Sequence, residues 1–378
     1  MADSIDKSVT DTKTTVEIPG AEEIIQDQQE KIEKVQSDGG PVEIEMDDQG
    51  GAEISFDPNA VTPEGGEEHF SNLAEFLDDG LLTELATTLS DKYTSYKESR
   101  ADWEDSYREG LDLLGFKYQR RTQPFRGASS VTHPVLAEAV AQFQATAYKE
   151  LLPADGPVRS QILGAVTPAK QDQANRVKDF MNYQLMDQMK EYEPEFDQML
   201  FYLPLAGSTF KKVYYDDLLG RAVSKFVHSD DLVVPYSATS LEDAEAVVHV
   251  IKMSENELRK QQVSGFYKDI DLGEPPVVEN QLTEKKQELE GITQNGQEDM
   301  YTLLEFHIDL DLEGYEDVNP EDNEPTGIKV PYIVTLDTAN TQILSIRRNY
   351  EVEDPLKKKI NYFVQFKFLP GTGFYGFG

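Results

Sequence analysis

Between Leu82 and Leu114 the apolar residues Leu82, Leu85, Leu89, Tyr93, Tyr96, Trp103, Tyr107, Leu111 and Leu114 recur at spacings of three, four or seven. That period places them on one stripe of a long helix, with a break expected near Gly110. The polar residues opposite, Asp91, Lys97, Glu98, Arg100, Asp102 and Glu104, read as a solvated face. In "YQRRTQPFRGASSVTHPVLAEAV", Pro124, Gly127, Ser129 and Ser130 mark an irregular loop. A helix is expected after Pro134, carrying Leu136, Val140, Phe143 and Leu151. Thr167 and Pro168 form an N-cap and first-turn pair for another, running to about Glu191. Pro194 opens a third, which Gly207 ends as a C-cap.

From Ser208 the pattern changes to strands. "STFKKVYYD", "RAVSKFVHSDDLVV" and "AEAVVHVIKM" are β-rich runs separated by turn residues. In the first, the adjacent Lys211 and Lys212 point to opposite faces. Ser254 and Glu257 make a capping box for a short helix that stops near Gly265. Residues 271–300 are polar and acidic and read as a long loop. In "YTLLEFHIDLDL", Leu304, Phe306, Ile308, Leu310 and Leu312 alternate with Glu305, His307, Asp309 and Asp311. Strict alternation predicts a strand with one face in the core and one in solvent. "VPYIVTLDTANTQILSIRR" reads as a hairpin turning near Ala339 and Asn340, and "YFVQFKFL" as the last strand. Helices first and mainly antiparallel strands later define an α+β class.

Composition changes this picture at the N-terminus. Residues 1–70 hold 19 Asp and Glu against four Lys and no Arg, and Phe56 is the only aromatic before Phe70. Too little apolar surface is available there to offset ordering entropy, so this reads as a disordered acidic tail. Its role is solubilisation or docking to a basic partner. The remainder divides into a helical part, 71–207, and a β-rich part, 208–378, of one domain. The whole chain of 378 residues carries a net charge of -36. So acidic a surface repels duplex phosphates and argues against a DNA-gripping groove, though not against DNA passing nearby. No Cys is present, which excludes disulfides, thiolate nucleophiles and Cys-ligated zinc. No apolar run approaches the ~18 residues a membrane span needs. "MADSIDKSVT" lacks the basic and apolar regions of a secretion signal, so the default compartment is cytosolic.

The chemical motifs are each incomplete. Gly371, Gly373 and Gly376 in "FLPGTGFYGFG" spell a dinucleotide fingerprint. That fingerprint works only between a strand and a helix, with an acidic residue about 20 positions on. Neither feature follows, and the glycines read as a flexible junction. Asp309, Asp311, Glu313 and Gly314 resemble the start of a calcium loop, but Pro320 stands where its bidentate Glu belongs. His307, Asp309 and Asp311, with Glu305, share one strand face and would be the ligands of a metal-dependent hydrolase. A solvated face is the competing reading. His69, His133, His228 and His249 have no sequence-local partners, and His249 reads as a cross-strand packing residue. "LAGSTFKKVYYD" lacks the G-K-[ST] core of a phosphate loop. No cofactor site and no catalytic set is assigned.

Several long stretches together resemble the portal, or head-to-tail connector, proteins of short-tailed bacteriophages. They are "FRGASSVTHPVLAEAVAQFQATAYKELLP" at 125–153, the run from Pro194 to Glu245, "HVIKMSENELRKQQVSGFYKD" at 249–269, "LLEFHIDLDLEGYED" and "FLPGTGFYGFG". The resemblance covers roughly 110–378. It implies a non-catalytic subunit of a twelve-membered ring at a capsid vertex, assembled in the host cytoplasm and carried in the virion. The implied partners are other copies of itself, a terminase motor, capsid protein and tail or head-completion proteins. Double-stranded DNA would pass through without sequence-specific binding. The chain would correspond to a wing-like domain, without stem, clip and crown. Gly371, Gly373 and Gly376 would then be a hinge towards the stem. Arg120, Arg121 and Arg126 become candidate subunit-interface residues, with local ion pairing as the alternative. Two other functions stay open: the hydrolase above, and an acidic interaction protein working through its tail.

Overall fold

The computed structural model describes residues 43–46, 52–55, 69–114, 125, 127, 133–216, 219–273, 282, 285–286, 300–318, 324–371 and 373–378. It divides into two units, Met1–His69 and Phe70–Gly378. In the first, the described element is an antiparallel hairpin of β1 (Glu43–Met46) and β2 (Ala52–Ser55), with Ile44 opposite Ile54. The other residues of the expected tail up to 68, and Arg120, Arg121 and Arg126, lie outside the described residues.

The second unit opens with a 3-10 turn, Leu73–Glu75, then α1 (Asp79–Ser99) and α2 (Ala101–Leu113). The expected break at Gly110 does not occur; Gly110 sits inside α2. The break falls at Arg100, whose φ of -108° and ψ of 11° leave the helix. The cause is long-range, because the Arg100 guanidinium is drawn into the interior, as described below. Next come α3 (Val135–Leu151) and α4 (Pro168–Tyr183), whose N-cap Thr167 accepts from the Lys170 N–H. α4 stops eight residues short of Glu191 because the chain widens into a π turn, Gln184–Gln188. α5 (Tyr192–Ala206) ends at Gly207, left-handed at φ 75°.

Two antiparallel sheets follow. β3 (Ser208–Asp216), β4 (Arg221–Val227) and β10 (Phe363–Lys367) form a three-stranded sheet in the order β10-β3-β4. β5 (Leu232–Val233), β6 (Ala246–Ser254), β7 (Met300–Leu310), β8 (Val330–Asp337) and β9 (Ile343–Arg348) make the second, in sequence order. The β8–β9 turn lies at residues 338–342, where the sequence placed it. The capping box of Ser254 and Glu257 starts α6 (Glu255–Val263).

The architecture is α+β and layered. Leu82, Ala86, Leu89 and Tyr96 of α1 bury against Val248, Leu304, Phe306, Val334 and Ile346 on one face of the five-stranded sheet. On its other face Val247 packs with Phe210 and Phe363 of the three-stranded sheet. Met199, Leu200 and Phe196 of α5 cover that sheet's far side with Phe226 and Phe366. The interior between the two sheets is therefore reached by the second face of β7.

Candidate functional site

The pleat of β7 sends Leu304, Phe306 and Ile308 towards α1 and Glu305 and His307 the other way, into the seam between the sheets. There the Lys212 ammonium of β3 donates to both Glu305 carboxylate oxygens, at 2.6 and 2.8 Å. His307 Nε2 lies 2.8 Å from Glu305 Oε1, and His249 Nδ1, directly across the β6–β7 ladder, lies 3.7 Å from it. The Phe363 ring of β10 meets both imidazoles edge-on, with centroids 5.1 and 5.5 Å away. His307 is 2 % exposed. Its half of the expected solvated face is thus buried, because the three-stranded sheet covers it; Asp309 and Asp311, beyond that cover, are exposed.

This environment separates the ionisations. Burial raises the Glu305 pKa on its own, but Lys212 and the two histidines outweigh it and hold the carboxyl well below the usual range. Burial pushes His307 and His249 down, with Glu305 opposing only in part. At neutral pH the seam holds one carboxylate and two neutral imidazoles beside Lys212.

A second buried ion closes the molecule at the α1–α2 break. Arg100 is 2 % exposed. Its Nη1 donates to Ser229 O at 3.0 Å, Leu232 O at 2.9 Å and the Tyr375 hydroxyl at 3.1 Å. Nη2 donates to Asp230 O at 2.7 Å, and Nε to Glu104 Oε1 at 2.8 Å. Trp103 stacks on Tyr375, ring centroids 4.6 Å apart, beside the guanidinium. Next to this knot Lys286 donates to Asp230 at 2.7 Å. Burial and the neighbouring Asp230 push the Asp231 carboxyl up to about 7. Burial and Lys286 push His228 down to about 4.

Tyr375 comes from the glycine-rich run, which is tied into the core. The Gly376 N–H donates to the Ser208 hydroxyl at 3.0 Å, and Phe377 N to Leu369 O at 2.9 Å. A Cβ on Gly207 would lie 2.2 Å from Gly376 O, and one on Gly376 2.4 Å from Leu369 O. These glycines permit two backbones to touch. Gly373 lies against the Tyr236 ring and Gly371 against Phe377.

Lys211 goes to the opposite face from Lys212, as strand alternation requires. Its ammonium lies 4.3 Å from the Tyr192 ring centroid, and burial lowers its pKa to about 8. His307, Asp309 and Asp311 form no metal cluster: among the described residues no group of three or more His, Asp or Glu is placed to hold a metal ion. Asp309 and Asp311 run into the turn at Gly314, φ 83°. The residues that sequence reasoning missed are Arg100, Lys212 and Tyr375. Chemically, both buried clusters are clamps, whose ions Arg100 and Glu305 bond to other parts of the same chain. No family model and no curated protein matches this chain.

Proposed function

We propose that the chain is a structural subunit of a larger assembly, with buried ionic chemistry committed to rigidity and apolar surface committed to neighbours. The observation that carries this is an inversion: Arg100, Asp230 and Glu305 lie inside, while large apolar side chains stand outside in groups. On the three-stranded sheet Val213, Tyr215 and Val364 lie on one face and are exposed, past the cover of α5. Contiguous exposed apolar surface marks an interaction site.

Within that class the portal reading fits best. The quoted stretches that resemble portals run through both sheets and α3, α5 and α6. A net charge of -36 favours a channel wall that repels DNA and lets it slide. The partners are then other copies of the chain, a terminase motor, capsid protein and tail or head-completion proteins, within a virion. Electron microscopy and sedimentation velocity of the purified protein test this. Closed rings are expected; a monomer at every concentration would sink the proposal.

A further inference from the structure

α4 differs from every other long helix described. None of its 16 residues is buried. Asn182 ties its last turn to the chain before it, accepting from Val158 N at 2.9 Å and donating to Val158 O at 3.2 Å. The helix therefore projects as an arm fixed at one end. Helices of this length are marginal in water unless one side is covered, and α4 has a side to cover. Val177, Phe180 and Met181 follow the i, i+3, i+4 spacing of one stripe, and all are exposed, Phe180 at 58 %. Lys170 falls on the same stripe, two turns further back, with Arg176 and Lys178 on its two flanks.

Charge identifies what covers it. The segment 157–183 carries four basic residues, Arg159, Lys170, Arg176 and Lys178, against Asp172 and Asp179, in a chain with 71 acidic and 35 basic residues. Among the described residues Arg159, Lys170 and Arg176 have no ion pair; Lys178 meets only the adjacent Asp179 at 3.5 Å. A basic-rimmed apolar stripe requires an acidic surface with an apolar centre. The same chain presents one on α2. Asp102, Asp105, Glu109 and Leu113 lie on one exposed face of that helix, opposite the buried Tyr107 and Leu111. Asp105 meets Arg108 at 2.6 Å, whereas among the described residues Asp102 and Glu109 are in no ion pair. No α4 residue belongs to the buried cluster that α2 forms with α3 and α5.

We infer that α4 is an intersubunit arm, whose Val177–Phe180–Met181 stripe docks on the acidic outer face of α2 in a second copy of this chain. The contact is heterologous, with arm and receiver on different patches of each copy, so it propagates around a ring or along a filament. It rests on the assembly reading above and names the surfaces that perform it.

Sedimentation velocity on the whole protein tests the inference, with three variants. Val177→Asp/Phe180→Asp is expected to weaken self-association at least tenfold while leaving the thermal midpoint unchanged, since neither residue is buried. Lys170→Glu/Arg176→Glu is expected to weaken it and to remove part of its salt dependence. Mixing that variant with Asp105→Lys/Glu109→Lys is expected to restore association that neither shows alone. Unaltered association of the first two variants overturns the arm and leaves the assembly reading standing. A wild-type protein that is monomeric throughout overturns both.

Discussion

Two buried ionic clusters hold this molecule, and they differ in what neutralises the charge. At Arg100 the cation is met mainly by neutral acceptors: three backbone carbonyls and a tyrosine hydroxyl, with one carboxylate at the rim. In the seam Glu305 is met by an ammonium and two titratable rings. A guanidinium keeps its proton across all accessible pH, so acid reaches the first clamp only through the carboxyls beside it, Asp231 among them. The second is held by groups that acid changes. Buried charge is costly in either case, but in the seam two of the ion's three partners are imidazoles, which the unfolded chain protonates near pH 6.5.

Arg100→Met breaks the comparison most severely. It keeps much of the side-chain volume but takes the guanidinium donor from the carbonyls of Ser229 and Asp230 in the interior, while Leu232 O keeps the Tyr375 hydroxyl. Removing one partner of a buried charged set costs ~3–5 kcal/mol. Urea unfolding at pH 5, where Asp231 is protonated in the fold, should report a loss of that size. A loss below ~1 kcal/mol would show that water reaches those carbonyls.

The seam's response to acid is the next effect. His307 and His249 have lowered pKa values in the folded protein. Their stabilising contribution is complete above the ordinary histidine value of about 6.5 and is lost as pH falls below it, when the unfolded chain binds protons the folded one refuses. The steepest slope is about 1.4 kcal/mol per pH unit for each proton. Glu305 follows at lower pH, its depressed pKa giving stability that acid removes below about 4.3. Asp231 acts in the opposite sense. Its carboxyl is raised to about 7, so the folded state gains as pH falls from 7 towards about 4. Wild type and His307→Gln share that opposing contribution, so their difference isolates the seam. Wild type should lose more stability than the variant between pH 7 and 5. Parallel curves would mean that His307 binds its proton equally well in the folded and unfolded chains.

What was legible in the sequence follows the range of the interactions. Thr167 and Pro168, Gly207, and the Ser254–Glu257 box set helix ends through bonds spanning a few residues, and each appears where the pattern put it. The Ala339–Asn340 turn and the alternation of β7 are equally local. Alternation shows that Glu305 and His307 share a face, but not what covers that face. That cover comes from Lys212, 93 residues away, and Phe363. The helix break at Arg100 was invisible for the same reason, since its partner Tyr375 lies 275 residues on. A charge in a helical stripe has no local mark that separates solvated from buried. The terminal glycines advertised freedom, and the reason for Gly376 is its close approach to Gly207 and Leu369.

The finest division of the comparison is inside the Arg100 knot. Tyr375 contributes a ring, stacked on Trp103, and a hydroxyl that accepts from Arg100 and Val234 N and donates to Leu232 O at 2.9 Å. Tyr375→Phe keeps the ring and removes the hydroxyl. The Val234 N–H and one guanidinium N–H are then left short of an acceptor, at about 1–2 kcal/mol. Amide hydrogen exchange at Val234 gives the sharper readout. If the hydroxyl is what closes the knot, exchange there accelerates in the variant while amides of the β7–β8 ladder keep their protection. If the stacked ring is what closes it, exchange at Val234 is unchanged and only Tyr375→Ala opens the site. The two variants therefore separate the polar from the aromatic half of a clamp whose cation never titrates.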